Sequence, residues 1–304
     1  MLNGVIIVNK EKDFTSHDVV AKLRGIVKQK KIGHTGTLDP QAEGVLPVCL
    51  GNATKLCDIL TDKKKEYVAT LLLGVATDTQ DMTGKVLEEK PVGADGDEVR
   101  NAILSFRGKS MQVPPMYSAL KVNGKKLYEL AREGKEVERA PRPIEIYELE
   151  ILSMNLPEVT VRVFCSKGTY IRTLCADIGE KLSCGACMKS LLRTKSGDFI
   201  IEHAHTLSQI EAYRDEGRLD ELVIPVDKIF GELKKVSIKP EHGFLIENGN
   251  VCHVDFLQEN VEWEAGERVL MYHSDGRFFG IYEYDGEDAL LKPYKMFIPT
   301  NDTP

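Results

Sequence analysis

Two hydrophobic periods alternate along the first 200 residues, and no all-helical or all-strand fold can satisfy both. Val159, Val161 and Val163 are separated by Thr160 and Arg162, the alternation of a half-buried strand. Ile171, Leu174, Cys175, Ile178 and Leu182 then recur at helical spacing, which predicts a helix over 169–182 packed on that sheet, with Arg172 in its first turn. The chain opens with the same pair of signals. A strand-like stretch at 4–8 is followed by the cap-like Thr15-Ser16-His17-Asp18 and by Val19, Val20, Leu23, Ile26 and Val27 on one helical face. Residues 67–73 read as another strand, ended by Gly74. The segment 33–51 is so punctuated by glycine and proline that a long ordered loop is expected there. The fold class these signals predict is α/β (α+β), built on a mixed β-sheet.

Near Ile224-Pro225-Val226-Asp227 the composition changes. Beyond it, Asn248-Gly249, Asp275-Gly276 and Asp285-Gly286 mark turns between short apolar runs, the pattern of a small β domain. The expected division is 1–228 and 229–304. The apolar run at the start is only about four residues long, too short for a signal peptide, and no stretch approaches the roughly 20 residues of a membrane helix, so a cytoplasmic protein is expected. Seven cysteines are an odd number in a chain large enough to fold without disulfides, which predicts reduced thiols. Cys184 and Cys187 form a CxxC without a second CxxC or a nearby HxxxH, so no metal site is expected.

A net charge of -7 argues against a polyanionic partner, but the average hides an asymmetry. The first 200 residues hold 30 basic and 26 acidic side chains, the last 104 hold 10 and 21. A basic face is therefore possible in the first two thirds.

The segment with most chemical content runs Gly33-His34-Thr35-Gly36-Thr37-Leu38-Asp39-Pro40. Its glycines allow the backbone close to a ligand, and Pro40 biases Asp39 toward an extended conformation that presents the carboxylate. It lacks the spacing of a phosphate-binding P-loop. On these residues alone, a ligand loop and an ordinary turn both remain open.

GHTGTLDP followed by GVLPVCLGNATK resembles the signature of the TruB pseudouridine synthases. Lys65-Glu66-Tyr67-Val68-Ala69, Pro114-Pro115-Met116-Tyr117-Ser118-Ala119-Leu120-Lys121 and Cys165-Ser166-Lys167-Gly168-Thr169-Tyr170-Ile171-Arg172-Thr173-Leu174 are similar to three further motifs of that family, in the same order. The resemblance covers most of residues 1–200. The tail is similar, more loosely, to the family's small RNA-binding PUA domain.

This resemblance implies an enzyme that isomerises uridine 55 in the T stem-loop of tRNA, without cofactor, metal or protein partner. Asp39 is then the nucleophile, Arg172 the cation that keeps it ionised, and Tyr67 the platform that stacks on the uracil. Tyr170 and Leu191 line the pocket, and His34 fills the space left by the flipped base. Lys10, Lys28, Lys30, Lys31 and Lys63-Lys64-Lys65 are candidate phosphate contacts. Two positions depart from the family pattern: Glu11 replaces the usual proline, and Leu192 the first arginine of leucine-arginine-arginine. Two other functions fit parts of the sequence, an RNA-folding protein on the same scaffold and a hydrolase using Cys165 with a histidine.

Overall fold

The computed structural model describes residues 1–122 and 124–298. Its main feature is a nine-stranded mixed sheet. From one edge, its strands run Gly4–Lys10, Glu43–Leu50, Ala186–Ser196, Lys65–Leu73, Glu158–Cys165, Arg142–Asn155 and Gly108–Gln112, with Ile32–His34 and Phe199–Ile200 paired alongside. Neighbours are antiparallel except where Leu192 and Arg193 meet Glu43 and Gly44. The alternation at 159–163 is realised as expected, with Val159, Val161 and Val163 buried and Thr160 and Arg162 turned away.

The expected helix over 169–182 is observed as Ile171–Lys181, with Arg172, Leu174, Cys175 and Ile178 on its buried side. Helix Ser16–Val27 begins at the cap signal: Thr15 and Asp18 form a reciprocal capping box. The expectation of one long loop over 33–51 fails. Glu43–Leu50 is a strand, and only about 35–42 is irregular. The run Val45 to Leu50 is buried on both faces, the signature of an interior strand, and outweighs the turn propensities around it. Pro47 is tolerated because of where it faces. Its carbonyl accepts from Thr35 N, beyond the end of strand Ile32–His34, and its absent N–H lies on that same side, where no ladder bond is lost.

The tail forms the expected small β unit, a five-stranded sheet ordered Lys234–Ser237, Arg268–Tyr272, Phe278–Tyr284, Leu290–Met296 and Cys252–His253. It packs behind the first strands of the large sheet. Val5, Val45, Cys49 and Leu56 share one apolar cluster with Leu270, Ile281 and Phe297. Tyr272 Oη donates to Asp227 Oδ2 at 2.9 Å, and Lys295 Nζ to Asp58 Oδ2 at 2.7 Å. The two sheets thus share a core.

Sharing a core has a measurable consequence. Ile281→Ala, at a site 1 % exposed, should destabilise the protein by about 2–5 kcal/mol, the usual cost of such a cavity. Calorimetry of the variant should still give a single transition; two separated transitions would mean that the sheets unfold independently.

Candidate active site

Residues 35–42 leave the sheet as a loop whose backbone is pinned from several sides. Thr35 N donates to Pro47 O at 3.0 Å, and Ala42 N to Asp39 O at 3.0 Å. Ser16, the first residue of its helix and fully buried, accepts from Leu38 N at 2.9 Å. Pro40 O accepts from Asp13 N at 2.9 Å and from Lys10 Nζ at 3.1 Å. Gly36 has φ of 96°, a conformation that a side chain would strain. Fixed in this way, the loop holds Asp39 at the rim of the buried region with its side chain 39 % exposed.

Arg172 reaches that carboxylate from the start of its helix. The guanidinium is 5 % exposed, and each of its nitrogens has a partner. Nε pairs with Asp39 Oδ2 at 2.9 Å, Nη1 donates to Thr79 O at 3.0 Å, and Nη2 donates to Tyr117 O at 2.7 Å. Asp81 Oδ2 stands 3.7 Å from Nη1. Asp81 is itself held by Thr79 Oγ1, Thr83 Oγ1 and Thr83 N, all within 2.9 Å of its Oδ1. The helix start is fixed separately: the Gln112 amide accepts from Tyr170 N at 2.8 Å and donates to Tyr170 O at 3.0 Å.

The electrostatics follow from this packing. Burial pushes the Asp39 carboxyl above its ordinary value; Arg172 opposes the shift and Asp81 adds to it. Tyr67 lies close enough to feel the Asp39 charge, and burial pushes its phenol up to about 12. Tyr170 is also raised by burial and also feels Asp39. Leu191, 7 % exposed, is the cross-strand partner of Ala69 and shares a core cluster with Leu38, against which Tyr67 packs. Asp39, Arg172, Tyr67, Tyr170 and Leu191 therefore converge.

His34 ends strand Ile32–His34 beside His17, their rings edge to face at 5.3 Å. Burial, His17 and Arg193 all lower its basicity, so the ring is neutral at pH 7. Its Nδ1 has no hydrogen-bond partner among the described residues.

Lys10 and Lys65 correct the expectation of surface phosphate contacts. Lys10 is 0 % exposed, its ammonium lies on the carbonyls of Glu11 and Pro40, and burial lowers its pKa to about 8. Lys65 is likewise buried, on the carbonyls of Thr61 and Lys63, and is lowered to about 8. Lys28, Lys30, Lys31 and Lys64 are at the surface. Cys165 is wholly buried and its thiol is pushed up to about 12, which leaves the hydrolase reading without a usable nucleophile. The sequence reading missed the 77–84 turn that holds Asp81 and Thr79, although its cluster of Asp, Thr and Gly is a turn signal. It also missed Gln112, for which no local signal exists.

Comparison with known proteins adds an independent line. A family model described as TruB family pseudouridylate synthase (N terminal domain) matches residues 24–171, and one described as tRNA pseudouridylate synthase B C-terminal domain matches 172–231. The chain is 52% identical to the tRNA pseudouridine synthase B of Lachnoclostridium phytofermentans, over 98% of this chain and 100% of the relative. It is 41% identical to that of Bacillus subtilis, over 99% and 100%. Among solved structures it superposes on a Cbf5-Nop10-Gar1 complex with a TM-score of 0.72 at 28% identity, covering 97% of this chain and 85% of the other. An H/ACA RNP bound to a substrate RNA containing 2'-deoxyuridine gives 0.71 at 26% identity, covering 99% and 87%.

The raised Asp39 carboxyl implies a signed stability effect. Its folded pKa lies above the unfolded value, so ionising it costs stability as pH rises through the folded pKa. Asp39→Asn should therefore melt higher than the parent at pH 7 to 8, with the gap closing near the unfolded carboxyl value. A lower melting temperature at pH 7 would show that the Arg172 pair outweighs desolvation.

Proposed function

This chain belongs to the TruB family of pseudouridine synthases, an isomerase family, and on that premise we propose that it converts uridine 55 in the tRNA T loop to pseudouridine with Asp39 as nucleophile. The observation that carries the assignment of Asp39 is its 2.9 Å pair with Arg172, because it joins residues 133 positions apart that are useful together only if that carboxylate must be ionised and aimed. The reaction is an isomerisation. The N1–C1' bond breaks, a C5–C1' bond forms, C5 gives up its proton, and N1 ends with one. Atoms and electrons balance within the nucleotide, so the chemistry calls for neither a metal nor a redox cofactor.

Uridine stacked in a folded loop must first be flipped out, at a cost of a few kcal/mol. His34, neutral and with an unsatisfied Nδ1, suits the role of filling the space the base leaves. Tyr67 gives the flipped uracil a stacking face, and its phenol, protonated at neutral pH, can pass a proton near C5. Tyr170 and Leu191 close the pocket's sides. Arg172 orients Asp39 and favours its ionised form, while Lys10, too deep to meet a phosphate, holds the loop from behind. The exposed Lys28, Lys30, Lys31 and Lys64 offer phosphate contacts for the tRNA backbone. Residues 1–228 would carry catalysis and 229–304 a supporting RNA contact, in the cytoplasm where tRNA is processed.

The test is pseudouridine formation on an unmodified tRNA transcript, with and without EDTA. Parent enzyme should give product at uridine 55 in both conditions. Asp39→Ala should give none while binding tRNA within a few fold; product from that variant would overturn the assignment of the nucleophile. The pH profile carries a second expectation. The nucleophile acts ionised, so kcat/KM should fall as pH falls through the Asp39 pKa, with the limb above the ordinary carboxyl value of 3.8.

A further inference from the structure

Across the pairing of strands Lys65–Leu73 and Ala186–Ser196, the residue opposite Tyr67 is Arg193. Its side chain is 1 % exposed. Nε donates to Val45 O at 2.7 Å and Nη2 donates to Gly36 O at 3.3 Å, and as cross-strand partners the guanidinium and the Tyr67 phenol are near enough for each to shift the other's ionisation. Among the described residues it has no carboxylate partner; two backbone carbonyls and the Tyr67 phenol support its charge. Burying an unpaired charge is costly, and an apolar side chain of similar volume commonly fills such a position at no loss of stability. A cation kept there against its desolvation requires a use beyond packing.

Its partners identify that use. Val45 lies in the strand that follows the Asp39 loop, Gly36 lies within the loop, and Tyr67 is the other side of the pocket. One rigid, planar group therefore sets the spacing between nucleophile loop and tyrosine. Register shifts on either side, at Met188/Ser190 and Arg193/Lys195, keep Leu191 and Arg193 opposite Ala69 and Tyr67, so the contact is built into the strand.

We infer that Arg193 is a positioning residue of the uracil pocket, one that acts through Tyr67 by fixing the phenol's place relative to the Asp39 loop. This rests on the reading that Tyr67 lies beside the uracil. Among the described residues Arg193 has no ion pair with Asp39, whose carboxylate pairs with Arg172. Its charge also works on the phenol: burial raises Tyr67 and Arg193 pulls it back, so removing the cation raises Tyr67 further.

The experiment is a double-mutant cycle on the single-turnover rate with a tRNA transcript, using Arg193→Met, Tyr67→Phe and the pair together, with Arg193→Lys as the charge-retaining variant. Arg193→Met should slow the reaction about a hundredfold, the scale of a misplacement of about 1 Å in the groups around the reacting atoms. It should leave tRNA affinity within about threefold, and Arg193→Lys should recover part of the rate. In the Tyr67→Phe background, Arg193→Met should cost less than about threefold further, because its route is already cut. Multiplicative losses, or a parent-like rate for Arg193→Met, would overturn the proposal. A second readout needs no activity. In protein carrying ζ-carbon-labelled tyrosine, the Tyr67 resonance, assigned by its loss in Tyr67→Phe, should move at neutral pH in Arg193→Met, and an unmoved resonance would overturn the contact. If Arg193→Met does not fold, the same cycle and spectrum are taken on Arg193→Lys, with smaller changes of the same sign; no coupling and no change there would sink the idea. A parent enzyme inactive on tRNA would instead defeat the reading of the substrate, and the spectrum would still decide the link between Arg193 and Tyr67.

Discussion

One buried guanidinium determines the geometry on which the rest of the site depends. Arg172 ties Asp39 to the carbonyls of Thr79 and Tyr117, so three segments far apart in the chain have their relative positions set by a single planar group. None of the three is held by strand pairing at the point of contact. A guanidinium is suited to this because its donors are fixed in a fork and cannot follow a partner that moves. The same arrangement explains how an exposed loop can present a carboxylate with little freedom.

The surrounding sheet supplies the rigidity. Strand Ala186–Ser196 runs between the first strands and the Tyr67 strand, and it brings Leu191 and Arg193 to the pocket face. Behind it, the tail's sheet packs on Val5, Val45 and Leu56, close to the root of the Asp39 loop. The tail therefore stabilises the Asp39 loop whether or not it touches RNA. Its acidity is consistent with a packing role, since phosphate contact needs cations at the surface.

What was legible in the sequence was what depends on local pattern. Val159 to Val163 gave a strand, Ile171 to Leu182 a helix and Thr15 to Asp18 a cap, because each needs only near neighbours. The strand Glu43–Leu50 was hidden by its glycine and proline: Pro47 is harmless only because of which side its nitrogen faces, a fact of register that no local window contains. The resemblance of four motifs marked Asp39, Tyr67, Tyr170 and Arg172, and the fold brings these residues together. Gln112 and Asp81 escaped because they act on other residues through contacts spanning 58 and 91 positions, and their side-chain types are unremarkable where they stand; Arg193 stood within the leucine-arginine-arginine match, but its place opposite Tyr67, 126 positions away, is a fact of register.

Net charge misled for a related reason. The chain carries -7 overall, yet Lys10, Arg172 and Arg193 are all buried against the Asp39 loop, with Asp81 the other carboxylate beside Arg172. Lys10 and Arg193 donate to backbone carbonyls instead of acids, although Asp39, Glu43 and Asp13 stand near enough to Lys10 to oppose the effect of its burial. Charges inside the protein are screened by salt far less than charges on its surface. Orientation of a flipped nucleotide would then depend on buried cations that ionic strength barely alters, and capture of the RNA backbone on the exposed lysines, which it weakens.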